Sequence, residues 1–306
     1  MELYRTYRPQ DFSEVVGNEI AIKTIEKELQ NGSHVFLMAG PAGCGKTTLA
    51  RIIAKKVGAG ELSIKEINSA DNRGIDTARE IMEQMRMNPL DGDAMVWILD
   101  ETHMMTNQGQ NAMLKALEEV PETVYFILCT TDPQKLIEPL KSRCSIITVK
   151  SLTKDEMHYL LKRTARAEGV KMGAEVYDKI CELADGGGRK GMKLLAKVLY
   201  LENDEERLDA LEGSIEGENS QIIELCRAML RNDFNWNIGA QLIKNMDMAE
   251  PERSRQAVMG YMNSVLLCGK ANQRAEAVMQ AFGEADTYRN GKFAITIAVL
   301  DFLSMI

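Results

Sequence analysis

FLMAGPAGCGKTTLARIIAKK, residues 36–56, places an apolar run before a glycine-rich segment and a helical pattern after it. The glycine-rich segment fits the pattern G-x-x-x-x-G-K-[ST] and lies between a predicted strand and a predicted helix, the context that this pattern requires. Glycines let successive backbone N–H groups turn inward around phosphate oxygens, and the following helix presents its positive N-terminal end. The stretch therefore predicts a nucleotide-binding loop made of Gly40, Pro41, Ala42, Gly43, Cys44, Gly45, Lys46, Thr47 and Thr48.

A second apolar run ends in two acidic residues, in VWILDETH, residues 96–103. Lys46 supplies a point charge for the β- and γ-phosphates, and the Thr47 hydroxyl is a predicted Mg²⁺ ligand. Asp100 is predicted to hold the same Mg²⁺ through its water shell, and Glu101 to polarise the attacking water. Together these residues predict hydrolysis of a bound nucleotide, whereas His103 is interpreted as a structural residue.

Apolar runs at 34–39, 63–67, 94–99, 123–129 and 145–149 alternate with helical periodicity. All but the second are continuous, as expected of strands that crossover helices cover on both faces. The pattern predicts a parallel α/β domain over residues 1–150.

Beyond residue 150 the pattern becomes wholly helical. Thr153 and Glu156 form a predicted capping box, and helices are expected at about 153–168, 174–184 and 189–201. These helices make a small helical domain, residues 151–204. The acidic residues 203–220 read as a linker or an exposed helix, and amphipathic stretches then predict an all-α domain over residues 205–306.

The composition is that of a soluble globular protein of 306 residues, 45% hydrophobic and 27% charged. We find neither an apolar run of membrane-spanning length nor a secretory signal, so a cytosolic protein is expected. The net charge is −8, but residues 201–220 contain eight acidic residues and one arginine, so the acidity is local and does not exclude a DNA partner. The six cysteines form no CxxC pair, which argues against a zinc ribbon or a disulfide framework.

The run DETHMMTNQGQNAMLKALEEVPETVYFILCTTDPQKLIEPLKSRC, residues 100–144, closely resembles the AAA+ clamp-loader ATPases. The likeness is to the bacterial gamma/tau subunit, the small subunits of replication factor C and the large subunit of phage loaders. YRP at 7–9, VVGNE at 15–19, EINSADNRGID at 66–76 and SRC at 142–144 follow in the family's order. The resemblance is strong from residue 4 to about residue 195, and it implies an AAA+ P-loop sheet domain, a helical lid and an all-α collar.

Carried over to matching positions, the resemblance assigns further site residues. It implies that Thr131 senses the γ-phosphate, that Arg143 is an arginine finger for the ATP of a neighbouring subunit, and that Arg189 is a second sensor in the lid. The adenine pocket would be lined by Tyr7, Arg8, Pro9 and Val16. The four zinc-binding cysteines of gamma/tau have no counterpart between Arg51 and Ile64, so no zinc is expected.

The resemblance also implies two surfaces. Helix starts at Asn72, Arg73, Thr106, Asn107 and Gln108 match positions that track DNA phosphates, although helix capping is the simpler explanation for each residue alone. Residues 79–92 match the segment that touches the sliding clamp. Because Met82 and Met85 have the spacing of core residues, only Met87 and Leu90 are predicted clamp contacts.

The expected function is that of an ATP-hydrolysing clamp-loader subunit that uses ATP and Mg²⁺. Its partners would be a sliding clamp, primer-template DNA and other subunits of a five-membered ring, in a bacterium or a phage-infected cell. The alternatives are another AAA+ motor such as a branch-migration helicase, a ring subunit that binds ATP without hydrolysing it, and a small-molecule phosphotransferase.

Overall fold

The computed structural model describes residues 2–246, 251–267, 272–285, 287, 291 and 293–305, with backbone alone for residues 212–220, 245 and 253. The chain divides into two compact units, with the boundary between Leu208 and Asp209. The predicted sheet and lid regions both lie in the first unit. The division into three domains at residues 150 and 204 stays a prediction.

A five-stranded sheet forms the centre of the first unit, in the order β2-β3-β4-β1-β5. Each neighbouring pair is parallel, and Leu37 of β1 lies opposite Leu128 of β4 and Ile146 of β5. The predicted parallel α/β fold is confirmed. The strands are β1 (Val35–Ala39), β2 (Ala59–Asn68), β3 (Ala94–Asp100), β4 (Val124–Thr130) and β5 (Ser145–Thr148).

Helices cover both faces of this sheet. Successive side chains of a strand point to opposite sides, so the apolar strands contribute to two buried clusters. Phe36 and Ile98 belong to one buried cluster, which includes residues of α2 and α3, whereas Leu37 and Leu99 belong to another, which includes residues of α4 and α5. The helices of this part are α1 (Leu3–Thr6), α2 (Glu19–Gln30), α3 (Lys46–Lys56), α4 (Ile75–Gln84), α5 (Asn107–Glu118) and α6 (Glu138–Lys141).

The two edge strands differ from the sequence-based expectation. The prediction of cover on both faces is wrong for β5, because it lies at the edge of the sheet and its Ile146 is 54% exposed. Strand β2 begins before the predicted residue 63, and its pairing with β3 shifts register between Ala59 and Ile64. At this irregularity the Ser63 hydroxyl donates to the Asp91 carbonyl oxygen at 2.7 Å.

Three helices follow the sheet: α7 (Lys154–Ala167), α8 (Ala174–Ala184) and α9 (Gly188–Val198). The predicted capping box is confirmed, since Thr153 Oγ1 accepts from the Glu156 N–H and Glu156 Oε2 accepts from the Thr153 N–H at 2.7 Å. Asp185 and Gly186 have φ of 48° and 72°, a left-handed pair that ends α8 and separates it from α9.

The second unit is helical, and its core includes Leu225, Phe234, Phe282 and Phe302. Its helices are α10 (Asp204–Met229, which starts before the boundary), α11 (Trp236–Asn245), α12 (Pro251–Leu267), α13 (Gln273–Gly283) and α14 (Phe293–Met305). Of the two sequence-based alternatives for residues 203–220, a helix is observed. Cys268 lies outside the described residues, and no helix in the described part is long and apolar enough to cross a membrane.

Candidate nucleotide site

The predicted phosphate loop connects β1 to α3, as its sequence context requires. Gly43 and Gly45 have φ of 73° and 104°, in the left-handed region that glycine adopts without strain, and Gly45 is the N-cap residue of α3. At Gly40 the reason for glycine is contact, because a Cβ there would lie 2.0 Å from the Val149 carbonyl oxygen. The loop thus passes against the end of β5, and its residues 42–48 then line the pocket.

Lys46 is the cation of this loop. Its side chain is only 6% exposed, and its Nζ donates to the carbonyl oxygens of Gly40 and Pro41, both at 2.8 Å. Because both acceptors are neutral, the ammonium keeps its net charge for an anionic ligand. Thr47 and Thr48 follow in the first turn of α3 and line the same pocket.

The carboxylates at the end of β3 lie beside this loop. Thr47 Oγ1 donates to Asp100 Oδ2 at 3.0 Å, so the two predicted Mg²⁺-binding side chains are in direct contact. The Glu101 side chain accepts a hydrogen bond from Thr131 Oγ1 at 3.2 Å, which brings the predicted base and the predicted γ-phosphate sensor together. Glu101 has a φ of 48°, an unfavourable conformation for a residue with a Cβ that is common at functional sites.

His103 belongs to the same group of polar side chains. Its Nδ1 lies 3.3 Å from Glu101 Oε2 and 3.2 Å from Thr130 Oγ1, and its side chain is largely buried. From the sequence, His103 is interpreted as a structural residue. Its contact with Glu101, the carboxylate predicted to polarise water, places it beside the predicted catalytic group as well.

The other wall of the pocket comes from the N-terminal segment. Tyr7, Arg8, Pro9 and Val16, the four predicted adenine-pocket residues, all line it. The Arg8 Nε donates to Thr48 Oγ1 at 3.1 Å, and burial, aided by the positive charge of Arg51, lowers the pKa of Arg8.

The lid helices contribute Arg189. Its backbone N–H donates to the Gly43 carbonyl oxygen at 3.4 Å, which places the start of α9 directly against the phosphate loop. The structure thus brings loop residues 42–48, Asp100, Glu101 and the predicted second sensor to one pocket, whereas Gly40, Pro41 and Thr131 are not among its described lining residues.

Sequence reasoning missed several residues of this pocket. Tyr4 precedes the YRP motif by three residues, within a helix of one turn that leaves no periodic signal. The lid residues Leu160 and Met192 have the ordinary spacing of helix core positions. The missed lining residues are Tyr4, Val15, Asn18, Leu49, Leu152, Leu160, Gly188 and Met192.

Arg143 is not one of the described residues that line this pocket. It follows α6, where its guanidinium pairs with the Glu118 carboxylate and donates to the Pro139 carbonyl oxygen at 2.7 Å. Its side chain is 32% exposed. The arrangement leaves the predicted finger on a surface away from the nucleotide pocket of its own chain.

The five predicted DNA-contacting residues are exposed and come from two adjoining helix starts. Thr106 is the N-cap of α5, and its hydroxyl accepts from the Gly109 N–H and donates to the Arg73 carbonyl oxygen, both at 3.1 Å. Gly109 allows this approach, because a Cβ there would lie 2.8 Å from the Arg73 carbonyl oxygen. Asn72 precedes Arg73 on one side, and Asn107 and Gln108 begin α5 on the other.

The methionine-rich segment after α4 divides as predicted between core and surface. Met85 is 4% exposed and Met82 packs against the same core, whereas Met87 and Leu90 are 63% and 69% exposed. Leu62, which is 65% exposed, lies near them in the chain fold, since its N–H donates to Asp91 Oδ2 at 3.0 Å.

The parallel sheet, the phosphate loop, the paired acidic residues and the helical lid define the AAA+ class of nucleotide-binding proteins. A solved structure, the Thermotoga maritima RuvB Holliday junction branch migration motor, has the same fold with a TM-score of 0.58, covering 74% of this chain and 80% of that chain at 21% identity. Two family models also match: DNA polymerase III, delta subunit, over residues 63–153, and magnesium chelatase, subunit ChlI, over residues 11–92.

Among curated proteins, the DNA polymerase III subunit tau of Bacillus subtilis is 31% identical over 94% of this chain and 55% of its own length. Replication factor C subunit 4 of Encephalitozoon cuniculi is 31% identical over 63% of each chain. Within the AAA+ class the chain is similar to clamp-loader subunits, and the resemblance of its motifs to that family is confirmed. The chain spans less than two thirds of the length of these curated relatives.

Proposed function

We propose that this chain is an ATPase subunit of a sliding-clamp loader. ATP binding would drive assembly of a spiral of subunits that opens a ring-shaped clamp, and hydrolysis, stimulated by primer-template DNA and clamp, would release the clamp on the DNA. One observation carries the proposal: the phosphate loop, the acidic pair and Arg189 line one pocket, while Arg143 is held on a different surface. A site that needs Arg143 is therefore completed by a second subunit.

Within one subunit the proposed roles follow from the contacts. Lys46 binds the β- and γ-phosphates, and Glu101, oriented by Thr131, polarises the attacking water. Thr47 and Asp100 would hold Mg²⁺, which offsets charge on the phosphates when it is bound; a hydroxyl and a carboxylate in contact suit an ion that takes its other ligands from water and phosphate. Thr131 also senses the γ-phosphate, Arg189 is a second γ-phosphate sensor in the lid, and Arg143 of the neighbouring subunit stabilises the developing charge.

The DNA partner is proposed to be bound through its phosphates alone. The helix N-terminus at Thr106, with its short hydroxyl side chain, and the exposed guanidinium of Arg73 suit phosphate oxygens, which carry no sequence information. With a net charge of −8 on the chain, we infer that each subunit binds DNA weakly and that several subunits act together.

The clamp is proposed to contact Met87 and Leu90. Both side chains are exposed, and the neighbouring Met85 is buried and anchors the segment to the core. A flexible methionine beside a leucine can adapt to an apolar groove on a partner.

The ring is proposed to hold five subunits, several of them copies of this chain. Along α14, Phe293, Ile297 and Leu300 are 64%, 40% and 46% exposed, in a helix whose residues are mostly apolar. Such a helix supports a collar in which C-terminal helices of neighbouring subunits pack together. Clamp loading would take place in the cytoplasm of a bacterium or a phage-infected cell.

An ATPase assay on the assembled complex, with and without primed DNA and a clamp, tests this function. We expect DNA and clamp together to stimulate turnover more than either alone. A Met87→Ser/Leu90→Ser variant should lose the clamp-dependent part and keep the DNA-dependent part. The control Met172→Ser, at a half-buried methionine between α7 and α8, should keep both. Stimulation by DNA alone, unaffected by clamp, would instead favour a branch-migration type of motor and would contradict the proposal.

A further inference from the structure

We propose that Tyr4 is a positioning residue for Arg189 and thereby sets the preference of this site for ATP over ADP. The inference rests on the proposed function, because it takes Arg189 as the residue that senses the γ-phosphate. Tyr4 belongs to no motif of the phosphate site, and it reaches the pocket from the one-turn helix α1.

Three cationic side chains lie around the ring of Tyr4. The Arg189 Cζ and the Lys193 Nζ each lie 5.8 Å from the centroid of the Tyr4 ring, within the range of a cation–π contact. These two residues are one helical turn apart, so the ring contacts one face of α9 over about one turn. The Arg5 Cζ lies 5.7 Å from the same centroid.

The charges explain why an aromatic ring is suited to this place. Lys46 and Arg8 line the same pocket as Arg189, and the charge of Arg189 contributes, after burial and Arg51, to lowering the pKa of Arg8. A carboxylate beside Arg189 would offset this repulsion, but it would also repel a triphosphate. The face of a phenol ring attracts a guanidinium through its quadrupole and adds no negative charge to the pocket.

The ring itself is held from both ends of its segment. Leu3 is 1% exposed, and α1 packs against α9. Downstream, the Tyr7 hydroxyl donates to Glu168 Oε1 of the lid at 2.6 Å, and Arg8 reaches Thr48 at the phosphate loop. Because Tyr4 is fixed relative to the lid, it restricts the orientations of Arg189 before nucleotide arrives, which lowers the entropy cost of meeting the γ-phosphate.

The test measures binding of ATPγS and ADP to the purified chain carrying Tyr4→Phe, Tyr4→Leu or Arg189→Ala. We expect Tyr4→Phe, which keeps the ring, to bind both nucleotides like the wild type. Tyr4→Leu should weaken ATPγS by about 3- to 10-fold, the range that a partly exposed cation–π contact supports, and change ADP by less than about twofold. Tyr159→Leu is the matched control, because Tyr159 is an exposed lid tyrosine under Arg163, with a centroid distance of 5.8 Å, and does not line the pocket.

Two comparisons separate this inference from the proposed function. If Arg189→Ala leaves the ratio of ATPγS to ADP affinity unchanged, the sensing role of Arg189 fails, and the role of Tyr4 fails with it. If Arg189→Ala changes the ratio but Tyr4→Leu does not, only the Tyr4 proposal is overturned. Equal weakening of ATPγS and ADP binding by Tyr4→Leu would also overturn it, since the ring would then be only a wall of the pocket. A Tyr4→Phe variant that binds as weakly as Tyr4→Leu would overturn it too, since the hydroxyl and not the ring would then be the active group.

Discussion

The guanidinium of Arg143 is held by two contacts within its own chain. An arginine side chain has about 2 kcal/mol of rotamer entropy to lose when it is immobilised. The pairing with Glu118 and the hydrogen bond to the Pro139 carbonyl oxygen already remove part of that freedom. If Arg143 acts on the nucleotide of a neighbouring subunit as proposed, part of its rotamer entropy is already lost before they meet.

We predict that Arg143→Ala abolishes stimulated hydrolysis at least as fully as Glu101→Gln. A finger is worth about 10³- to 10⁵-fold in turnover, whereas a general base is worth about 10²- to 10⁴-fold. ATP binding by isolated subunits should be unchanged in Arg143→Ala, because the side chain lies outside the pocket. Single-turnover hydrolysis and equilibrium nucleotide binding measure the two effects.

The conservative variant Arg143→Lys keeps the charge but loses the planar fork, so it should recover only a small part of the turnover. Normal stimulated turnover in the Arg143→Ala complex would rule out the finger.

The residues of the pocket that belong to short sequence motifs could be predicted from the sequence. Lys46, Thr47 and Asp100 stand in fixed spacing beside a strand, so a pattern of a few residues finds them. Tyr4 was missed because its partner Arg189 lies far along the chain and cation–π pairing has no spacing rule. The Glu118 partner of Arg143 was missed for the same reason, since only the fold brings α5 to the end of α6.

Among the elements, α12 is fastened at its first turn. Glu252 accepts from Arg255 Nε and Nη2 at 2.9 and 2.8 Å and also from the Thr287 hydroxyl. These hydrogen bonds, first that of Arg255 and then that of Thr287, lower the pKa of Glu252 to about 2. Arg255 in turn donates to the Phe282 carbonyl oxygen at 3.1 Å, so the carboxylate links α12 to the end of α13.

We predict a pH-dependent loss of stability when this carboxylate is neutralised. The pKa of Glu252 is lower in the folded than in the unfolded chain, so its contribution is complete above the ordinary glutamate pKa and is lost as pH falls toward 2. Glu252→Gln should lower the unfolding midpoint by about 2–4 °C at pH 7, and the difference from wild type should shrink steadily below about pH 5. Thermal unfolding followed by circular dichroism across pH 3–8 measures it.

The matched control is Glu276→Gln, an exposed glutamate on α13. Its midpoint should follow the wild type throughout, and a Glu252→Gln curve that runs parallel to wild type down to pH 3 would contradict the prediction.

Elements with local signals were predicted well, and elements shaped by their neighbours were not. Helix α8 has its predicted bounds, because a glycine-rich break and a regular apolar stripe define it. The residues of β2 before 63 include Gly60 and Glu61, and they form a strand because Ala59 pairs with β3 and the Leu62 N–H donates to the Asp91 carboxylate. The exposure of Ile146 in β5 depends on strand order, which no single run of residues contains.

For the whole molecule, the proposal requires that two chains share one site. We predict that mixing Arg143→Ala chains with Glu101→Gln chains restores turnover that neither has alone. A Glu101→Gln neighbour still offers Arg143, and an Arg143→Ala chain still offers Glu101, so one of the mixed junctions is complete. Steady-state ATPase activity across mixing ratios, in the presence of DNA and clamp, should peak at an intermediate ratio.

The control mixture combines Glu101→Gln with Lys46→Ala/Arg143→Ala, in which no junction is complete. It should stay inactive at every ratio, and a first mixture no more active than the sum of its parts would contradict a shared site.

The strand order also has a consequence for synthesis on the ribosome. Val35 of β1 pairs with Phe126 of β4, and Phe36 pairs with Ser145 of β5, so β1 emerges long before either partner. At translation rates of about 5–20 residues per second, the apolar strand waits roughly 5–20 s without them. During that interval the nascent chain carries an unpaired hydrophobic strand followed by an unformed loop. From this topology we expect the nascent chain to be open to chaperone binding at this stage, and to bind nucleotide only after residues 188–198 have left the exit tunnel.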